Sequence, residues 1–323
     1  MTADAAALHA VAEAVLGSRV IAVCSHVDPD GDAVGSVLAL ARGLESLGCE
    51  VHRVLASGER APVTYAFLEG AERFVRAADL PVHPDLVFAL DAPSPVRLGE
   101  AAALLEGTQV VVMDHHPDNA RFGAVNVVDP EAPSTSTLVW ELLLSLAAEP
   151  DQCVLDCVFC GLMTDTGRFS YANATPRAFR TAAQLAEAGA RTRWVYANVY
   201  ERRSHAALKL IARTMDRLTF ANGGAVAYSW ITDEDLRETG ALPEETEDLI
   251  DSVRVVDGPD VVALFKCSPG RVKGSLRAKD GADVGAAARA LGGGGHRAAA
   301  GFTIEGTLSE ALAAVLPLLP ARP

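Results

Sequence analysis

The sequence predicts an α/β protein: an N-terminal, mostly parallel sheet flanked by helices, joined by a helical linker to a smaller α/β C-terminal domain. Three observations carry this reading. The 323 residues exceed the roughly 100–200 of a single domain. Short apolar runs alternate with helical patterns through the first half, as in chains of βαβ units. From about Leu218 the texture changes to hairpin-like strands around Asn222-Gly223-Gly224.

The elements follow in order. Residues 1–17 contain Asp4 and Glu13 without a basic run, so they read as an amphipathic helix, not a signal peptide. Residues 19–25 (RVIAVCS) form a buried strand by length and β-branching. A helix over 32–48 ends at Gly48. Strands are expected at 51–55, 86–90 (LVFAL) and 109–113 (QVVVM), and buried helices at 137–148 and 153–162. Further helices cover 175–190 and 204–215. The expected division is 1–190, a linker 191–217, and 218–323. In the last part we expect a helical acidic stretch at 243–250, strands at 261–267 and 271–278, and a helix at 282–291. A Gly run, a strand at 301–304 and a final helix complete it.

Composition narrows the function. The chain is 50% hydrophobic and 22% charged, which excludes a wholly disordered protein. Its 28 basic and 42 acidic residues give a net charge of −14. Such a surface repels long nucleic acid and anionic membrane unless metal ions or a local basic cluster intervene. The six cysteines lie mostly in apolar runs, which suits reduced, buried thiols. No apolar run reaches the ~18 residues of a membrane span. A cytoplasmic location without membrane contact is the expectation.

Chemistry concentrates at His26-Val27-Asp28-Pro29-Asp30-Gly31-Asp32, directly after a strand. Three carboxylates this close repel one another unless a cation neutralises them. An EF-hand does not fit: counted from Asp28, its sixth and twelfth positions are Ala33 and Ala39, where Gly and Glu are required. LVFAL runs into Asp91, and QVVVM into Asp114-His115-His116. In a parallel sheet these strand ends share one edge, where ligands gather. A fourth element, Gly161-Leu162-Met163-Thr164-Asp165-Thr166-Gly167, places an acid at the end of an apolar helix. Mixed carboxylate and imidazole donors favour Mn²⁺, Fe²⁺ or Zn²⁺, and an acid-rich set leans to manganese. Seven or eight donors are too many for one ion, so two divalent metal ions sharing an Asp are expected, the equipment of phosphoester hydrolysis.

Between Ala263 and Arg297, seven basic residues face only two acidic ones, and the run Gly292-Gly293-Gly294-Gly295-His296 follows a basic strand pair. Glycines let backbone N–H groups approach an anion closely. No Gly-x-x-x-x-Gly-Lys-Ser/Thr loop is present, which excludes a P-loop nucleotidase. Cys153, Cys157 and Cys160 share one helical face and read as core. Arg97 reads equally as a phosphate contact or a helix-surface residue, and Phe169 and Tyr171 as base-stacking or core residues.

These motifs, in this order from residue 26 to residue 301, resemble the DHH phosphoesterases, named for the triplet Asp114-His115-His116. The second half resembles their associated C-terminal domain through Gly292–His296 and Ala298-Ala299-Ala300-Gly301. The resemblance implies that His26, Asp30 and Asp91 hold one ion. Asp32, Asp91, His115 and Asp165 would hold the other, with Asp91 bridging. It implies that His116 faces the substrate phosphate, with Asp28 and Asp114 orienting ligands from behind. In the C-terminal domain, Ser275, Arg277, Gly294, Gly295 and His296 would bind the distal phosphate and nucleotide; Arg97, in the first domain, is a further candidate phosphate contact by its place six residues past Asp91.

Among the branches of that family, a pyrophosphatase of family II carries a Lys- and Arg-rich C-terminal signature that is absent here. RecJ-type exonucleases are much longer, and membrane-anchored cyclic dinucleotide phosphodiesterases carry extra domains. The stand-alone two-domain form is the match. It implies in-line, metal-assisted hydrolysis of RNA or DNA of a few nucleotides and of 3′-phosphoadenosine-5′-phosphate, with a homodimer as one allowed assembly. The alternatives are a family-II-like pyrophosphatase, a phosphodiesterase for cyclic di-AMP or its linear product pApA, and a nucleotide-binding module without turnover.

Overall fold

The computed structural model describes residues 5–246, 249–279 and 281–322. The chain divides into two compact units between Glu201 and Arg202. The first unit runs α1 (Ala5–Leu16), β1 (Val20–Cys24), α2 (Gly31–Ser46), β2 (Glu50–Leu55), β3 (Phe74–Arg76), β4 (Leu86–Leu90), β5 (Gln109–Asp114) and β6 (Val125–Val128). Then come α3 (Thr135–Ser145), α4 (Gln152–Asp165), α5 (Pro176–Glu187) and α6 (Thr192–Tyr200). The part of the expected N-terminal helix at residues 1–4 lies outside the described residues.

All six strands are parallel, in the order β3-β2-β1-β4-β5-β6. The order reverses between β1 and β4, so these neighbours diverge into crossovers on opposite sides and leave a crevice at their carboxyl ends. Both strands are buried along their whole length, which is why they read as unbroken apolar runs. One face packs on α2, α3 and α4 through Ile21, Phe88, Leu38, Leu142 and Val158. The other face carries Ala22, Val87, Ala89 and Val112 and is covered by Leu98, Ala101 and Leu104 of the 3₁₀ segment Pro95–Leu105. Gly35 lets α2 meet α4 backbone to backbone, since a Cβ there would lie 2.4 Å from the Cys157 carbonyl oxygen.

The second unit runs α7 (His205–Asp216), β7 (Thr219–Ala221), β8 (Val226–Thr232), α8 (Asp233–Thr239), α9 (Leu249–Arg254), β9 (Val261–Ser268) and β10 (Arg271–Ala278). It ends with α10 (Val284–Ala290), β11 (Gly294–Gly295), β12 (Ala299–Glu305) and α11 (Leu308–Val315). Its sheet is mixed, in the order β11-β12-β10-β9-β8-β7, with only β8 and β9 parallel. The segment expected as a linker is helical on both sides of the division, α6 in the first unit and α7 in the second. The short strands β3, β6 and β11 and the helix α8 were not anticipated. The first three are too brief to show a period.

Candidate functional site

The three strand-end motifs meet at one edge because β1, β4 and β5 are adjacent and parallel. His26 follows β1 and Asp91 follows β4, so both stand at the crevice where the strand order reverses. Asp91 has a positive φ of 55°, a conformation that a non-glycine residue adopts only when its surroundings hold it there. Its N–H donates to the Met113 carbonyl at 3.0 Å, tying this turn to β5.

The Asp91 carboxylate is directed both ways. Its Oδ2 lies 3.5 Å from His26 Nε2, and its Oδ1 lies 3.6 Å from His115 Nε2. Two donor groups therefore converge on it: His26 with Asp30, and Asp32 with His115. Asp165, the last residue of α4, reaches His115 Nε2 at 3.7 Å. His26, Asp32, Asp91 and His115 are buried, while Asp30 is exposed.

Local structure fixes each group. Asp30 is the N-cap of α2: its Oδ1 accepts from the N–H groups of Asp32 and Ala33. Asp32 points inward and accepts from Thr135 N at 2.6 Å, Ser136 N at 2.9 Å and Ser36 Oγ at 3.3 Å. Asp114 is fully buried and accepts from the N–H groups of His115 and His116, from His116 Nδ1 at 2.7 Å and from Asn119 Nδ2 at 2.6 Å. It thus holds the backbone of both histidines and the ring of His116. Asp28 is exposed with a φ of 54° and joins none of these donor groups. Arg97 is exposed, with its guanidinium 3.3 Å from His26 Nδ1.

Thr135, Ser136, Asn119 and Asn173 are the site residues that sequence reasoning missed. Thr135 Oγ1 donates to Asp91 Oδ1 at 3.0 Å. Asn173 Nδ2 donates to Asp165 Oδ2 at 3.0 Å and to the Pro133 carbonyl at 2.9 Å. The run Ser134-Thr135-Ser136-Thr137 before an apolar helix is a legible cap signal, and Ser134 does cap α3. Nothing in the sequence marks Asn173. Phe169 is half-buried against Phe159 and Phe179, which favours the core reading.

The electrostatics describe a site short of positive charge. Burial pushes Asp32 well above the ordinary carboxylate range, with Asp91 and Asp165 adding to it. Burial also lifts Asp165 to about 7, helped by Asp30 and Asp91. Burial opposes the charge on Asp91 too, but its bond to His26 and the three imidazoles hold it below the usual range. Burial would lower the histidines; the facing carboxylates reverse this and raise His26, His115 and His116 to about 9. Acids that cannot all ionise, beside imidazoles within 4 Å, are a donor set that divalent cations fit.

In the second unit, β10 alternates so that Ser275 and Arg277 face away from the core that holds Val272 and Leu276. Ser275 pairs with Gly301, which pairs in turn with Gly294 on β11, so the three stand in one row. Arg277 is opposite Ala299, and Gly295 opposite Ala300. A Cβ at Gly293 would lie 2.1 Å from the Gly301 carbonyl oxygen, so the tight approach of this turn to β12 requires glycine. His296 follows directly. Ser275, Arg277 and Gly294 thus stand on one face of the sheet, Gly295 lies in the neighbouring row with Ala300 and Leu276, and Lys273 and Lys266 face each other one row on from Ser275.

Comparison with known proteins agrees with this arrangement. Residues 20–162 match the DHH family, N-terminal domain, and residues 223–319 match the DHHA1 domain. The bifunctional oligoribonuclease and PAP phosphatase NrnA of Thermus thermophilus is 34% identical over 290 residues, covering 88% of this chain and 84% of the relative. An exopolyphosphatase-related protein of Bacteroides fragilis shares the fold with a TM-score of 0.90, at 22% identity over 98% of this chain and 96% of that one. RecJ of Thermus thermophilus, solved with Mn²⁺, gives a TM-score of 0.54 at 20% identity, covering 98% of this chain and 55% of RecJ. By its two domain matches and its relationship to NrnA, the chain belongs to the DHH family and carries a DHHA1 domain.

Proposed function

We propose that the protein is a two-metal phosphoesterase. It hydrolyses short oligonucleotides to mononucleotides and 3′-phosphoadenosine-5′-phosphate to AMP. The observation that carries this reading is Asp91, whose two carboxylate oxygens face two separate groups of donors. His26, Asp30 and Asp91 would hold one ion, and Asp32, Asp91, His115 and Asp165 the other. Manganese is the metal we expect, from the acid-rich donor set and from the Mn²⁺ held by RecJ. When bound, the ions supply Lewis acidity that eases deprotonation of an attacking water and neutralises charge developing on the phosphoryl oxygens.

The protein's own groups do the rest. Asp114 accepts from His116 Nδ1, which leaves Nε2 of that ring for the substrate phosphoryl group or the leaving oxygen. Ser275, Arg277 and the Gly294-Gly295-His296 turn bind the distal phosphate and the nucleoside, and Arg97 a further phosphate. Short substrates need few phosphate contacts, which suits a chain of net charge −14. The NrnA relative is named for these two activities. No helix among the described residues is long and apolar enough to cross a membrane, and all six cysteines are free thiols, which supports action in the reducing cytoplasm.

The test is manganese-loaded protein against 5′- and 3′-labelled oligomers of two to about 24 nucleotides, beside the bisphosphate, cyclic di-AMP and pyrophosphate. Metal-dependent release of mononucleotides from the shortest oligomers, and of AMP from the bisphosphate, is expected. Hydrolysis of pyrophosphate alone, or nucleotide binding without turnover, overturns the reading.

A further inference from the structure

The two donor groups of the first unit are not supported alike. On the Asp32–His115 side, one residue spans two carboxylates. Thr135 donates its backbone N–H to Asp32 Oδ2 at 2.6 Å and its hydroxyl to Asp91 Oδ1 at 3.0 Å. Asp91 Oδ1 is the oxygen that faces His115. Ser136 N adds a second bond to Asp32, so this carboxylate is gripped at both oxygens by the first turn of α3. Thr135 is completely buried, and its place is set by the Ser134 cap of an 11-residue helix. The positive end of that helix dipole lies against the same two carboxylates. On the other side, among the described residues, Asp30 is exposed and is held by the start of its own helix, and His26 Nδ1 meets the Val27 carbonyl at 2.8 Å and the Arg97 guanidinium at 3.3 Å.

We propose that Thr135 is a positioning residue that makes the two metal positions unequal: its hydroxyl and N–H pre-set Asp91 Oδ1 and Asp32 for the ion on the His115 side, while the ion on the His26 side, which faces the other Asp91 oxygen, depends on it less. The inference rests on the two-metal reading. Its physical basis is that a carboxylate whose rotation is already fixed by a hydrogen bond loses little freedom when it takes a metal, and that partners behind a ligand govern affinity by roughly 10- to 100-fold.

The experiment titrates Mn²⁺ into the chelator-stripped protein, followed by calorimetry and by the electron paramagnetic resonance of coupled ion pairs. Wild type, Thr135→Val and Thr135→Ser are compared, and the metal-free melting temperature of each is recorded. Valine keeps the shape and the N–H but removes the hydroxyl. The expected result is two ions in wild type. In Thr135→Val one affinity weakens by about 10- to 100-fold while the other stays within about threefold, and the coupled signal appears only at high Mn²⁺. Thr135→Ser restores the wild-type pattern. Unchanged affinities in Thr135→Val overturn the proposal. So does equal weakening of both sites with a lowered metal-free melting temperature, which would mark a structural role. A wild type that takes fewer than two ions overturns the two-metal reading itself. A wild type that takes two ions but cleaves no nucleotide overturns only the substrate assignment, and the Thr135 comparison still decides the inference.

Discussion

His116 Nδ1 lies 2.7 Å from Asp114 Oδ1, and the carboxylate that holds it is fully buried. At this distance Nδ1 donates to the carboxylate oxygen, which leaves Nε2 as the other nitrogen of the ring. His115, one residue earlier, is held differently: its Nδ1 approaches the Ala132 carbonyl and its Nε2 faces Asp91 and Asp165. His116 Nδ1 also lies 3.6 Å from Asp91 Oδ1, so the two rings share Asp91 and differ in their second carboxylate, Asp114 for His116 and Asp165 for His115. His116→Ala should retain both ions and lose about 10²–10⁴-fold in turnover, the usual worth of a general acid. His115→Ala should lose metal. Metal analysis of the purified variants checks this, and the reverse pattern would exchange the two roles.

Asn119 extends the same arrangement. Its amide donates to Asp114 Oδ2 and to the carbonyl of Ala92, the residue after Asp91. It therefore staples the β4 end to the β5 end. Asn119→Ala should leave metal content unchanged and reduce kcat by about tenfold, through a misdirected His116. Steady-state kinetics with a dinucleotide measure it; an unchanged kcat would show that the backbone N–H groups alone hold Asp114.

Gly161 has no room for a side chain. A Cβ there would lie 2.5 Å from Ser136 Oγ and 2.6 Å from Asp32 Oδ1. Gly161→Ala should therefore displace Asp32 and destabilise the first unit by about 1–3 kcal/mol, the range for overpacking. Melting curves with and without Mn²⁺ separate the two effects. A variant that gains as much from Mn²⁺ as wild type would mean that Asp32 has not moved.

Much of this site was legible because its ligands sit at strand ends, where an unbroken apolar run gives way to an acid. His26, Asp91 and His115 are read that way, and the parallel order of β1, β4 and β5 brings them together. What supports them was not legible. Thr135 and Asn173 lie more than forty residues or eight residues from the carboxylates they hold, and both look like ordinary turn and cap residues. Their role depends on where the 129–134 loop returns to the sheet edge, which no local pattern encodes. The strands β3 and β6 were hidden for a related reason: at three and four residues each, they are defined by their neighbours, not by periodicity.

Asp235 is expected to carry part of the acid response of the second unit. Its side chain is 2% exposed and is bonded by Arg217, Arg213 and the Thr232 cap. Burial would raise its pKa, but these partners, Arg217 first, hold it below the usual range. A depressed folded pKa adds stability that is present above the unfolded value of ~3.9 and is lost as pH falls below it. Asp235→Asn should cost about 1–3 kcal/mol at neutral pH, discounted because the arginines are about a third exposed. It should also lower the melting temperature less between pH 5 and pH 3 than in wild type. Parallel melting profiles in the two proteins would show that Asp235 does not carry the acid response.

Arg277 and Ser275 project from the same face of β10, beside the row that Gly301 and Gly294 leave without side chains. Arg277 Nη1 makes only a backbone contact, to the Leu276 carbonyl at 3.0 Å, and no salt bridge of this residue is found among the described residues. A half-buried guanidinium beside a glycine platform is suited to an anion with a flat group attached, such as a nucleotide. Arg277→Ala and His296→Ala should therefore impair nucleotide substrates while leaving metal content intact. A charged phosphate contact is worth about 1.5–3 kcal/mol, so kcat/KM should fall roughly ten- to a hundredfold for each. Bis-p-nitrophenyl phosphate has no distal phosphate, and its hydrolysis should change by less than about threefold. If both substrates fall equally, the second unit acts on catalysis or folding and not by holding the distal part of the substrate.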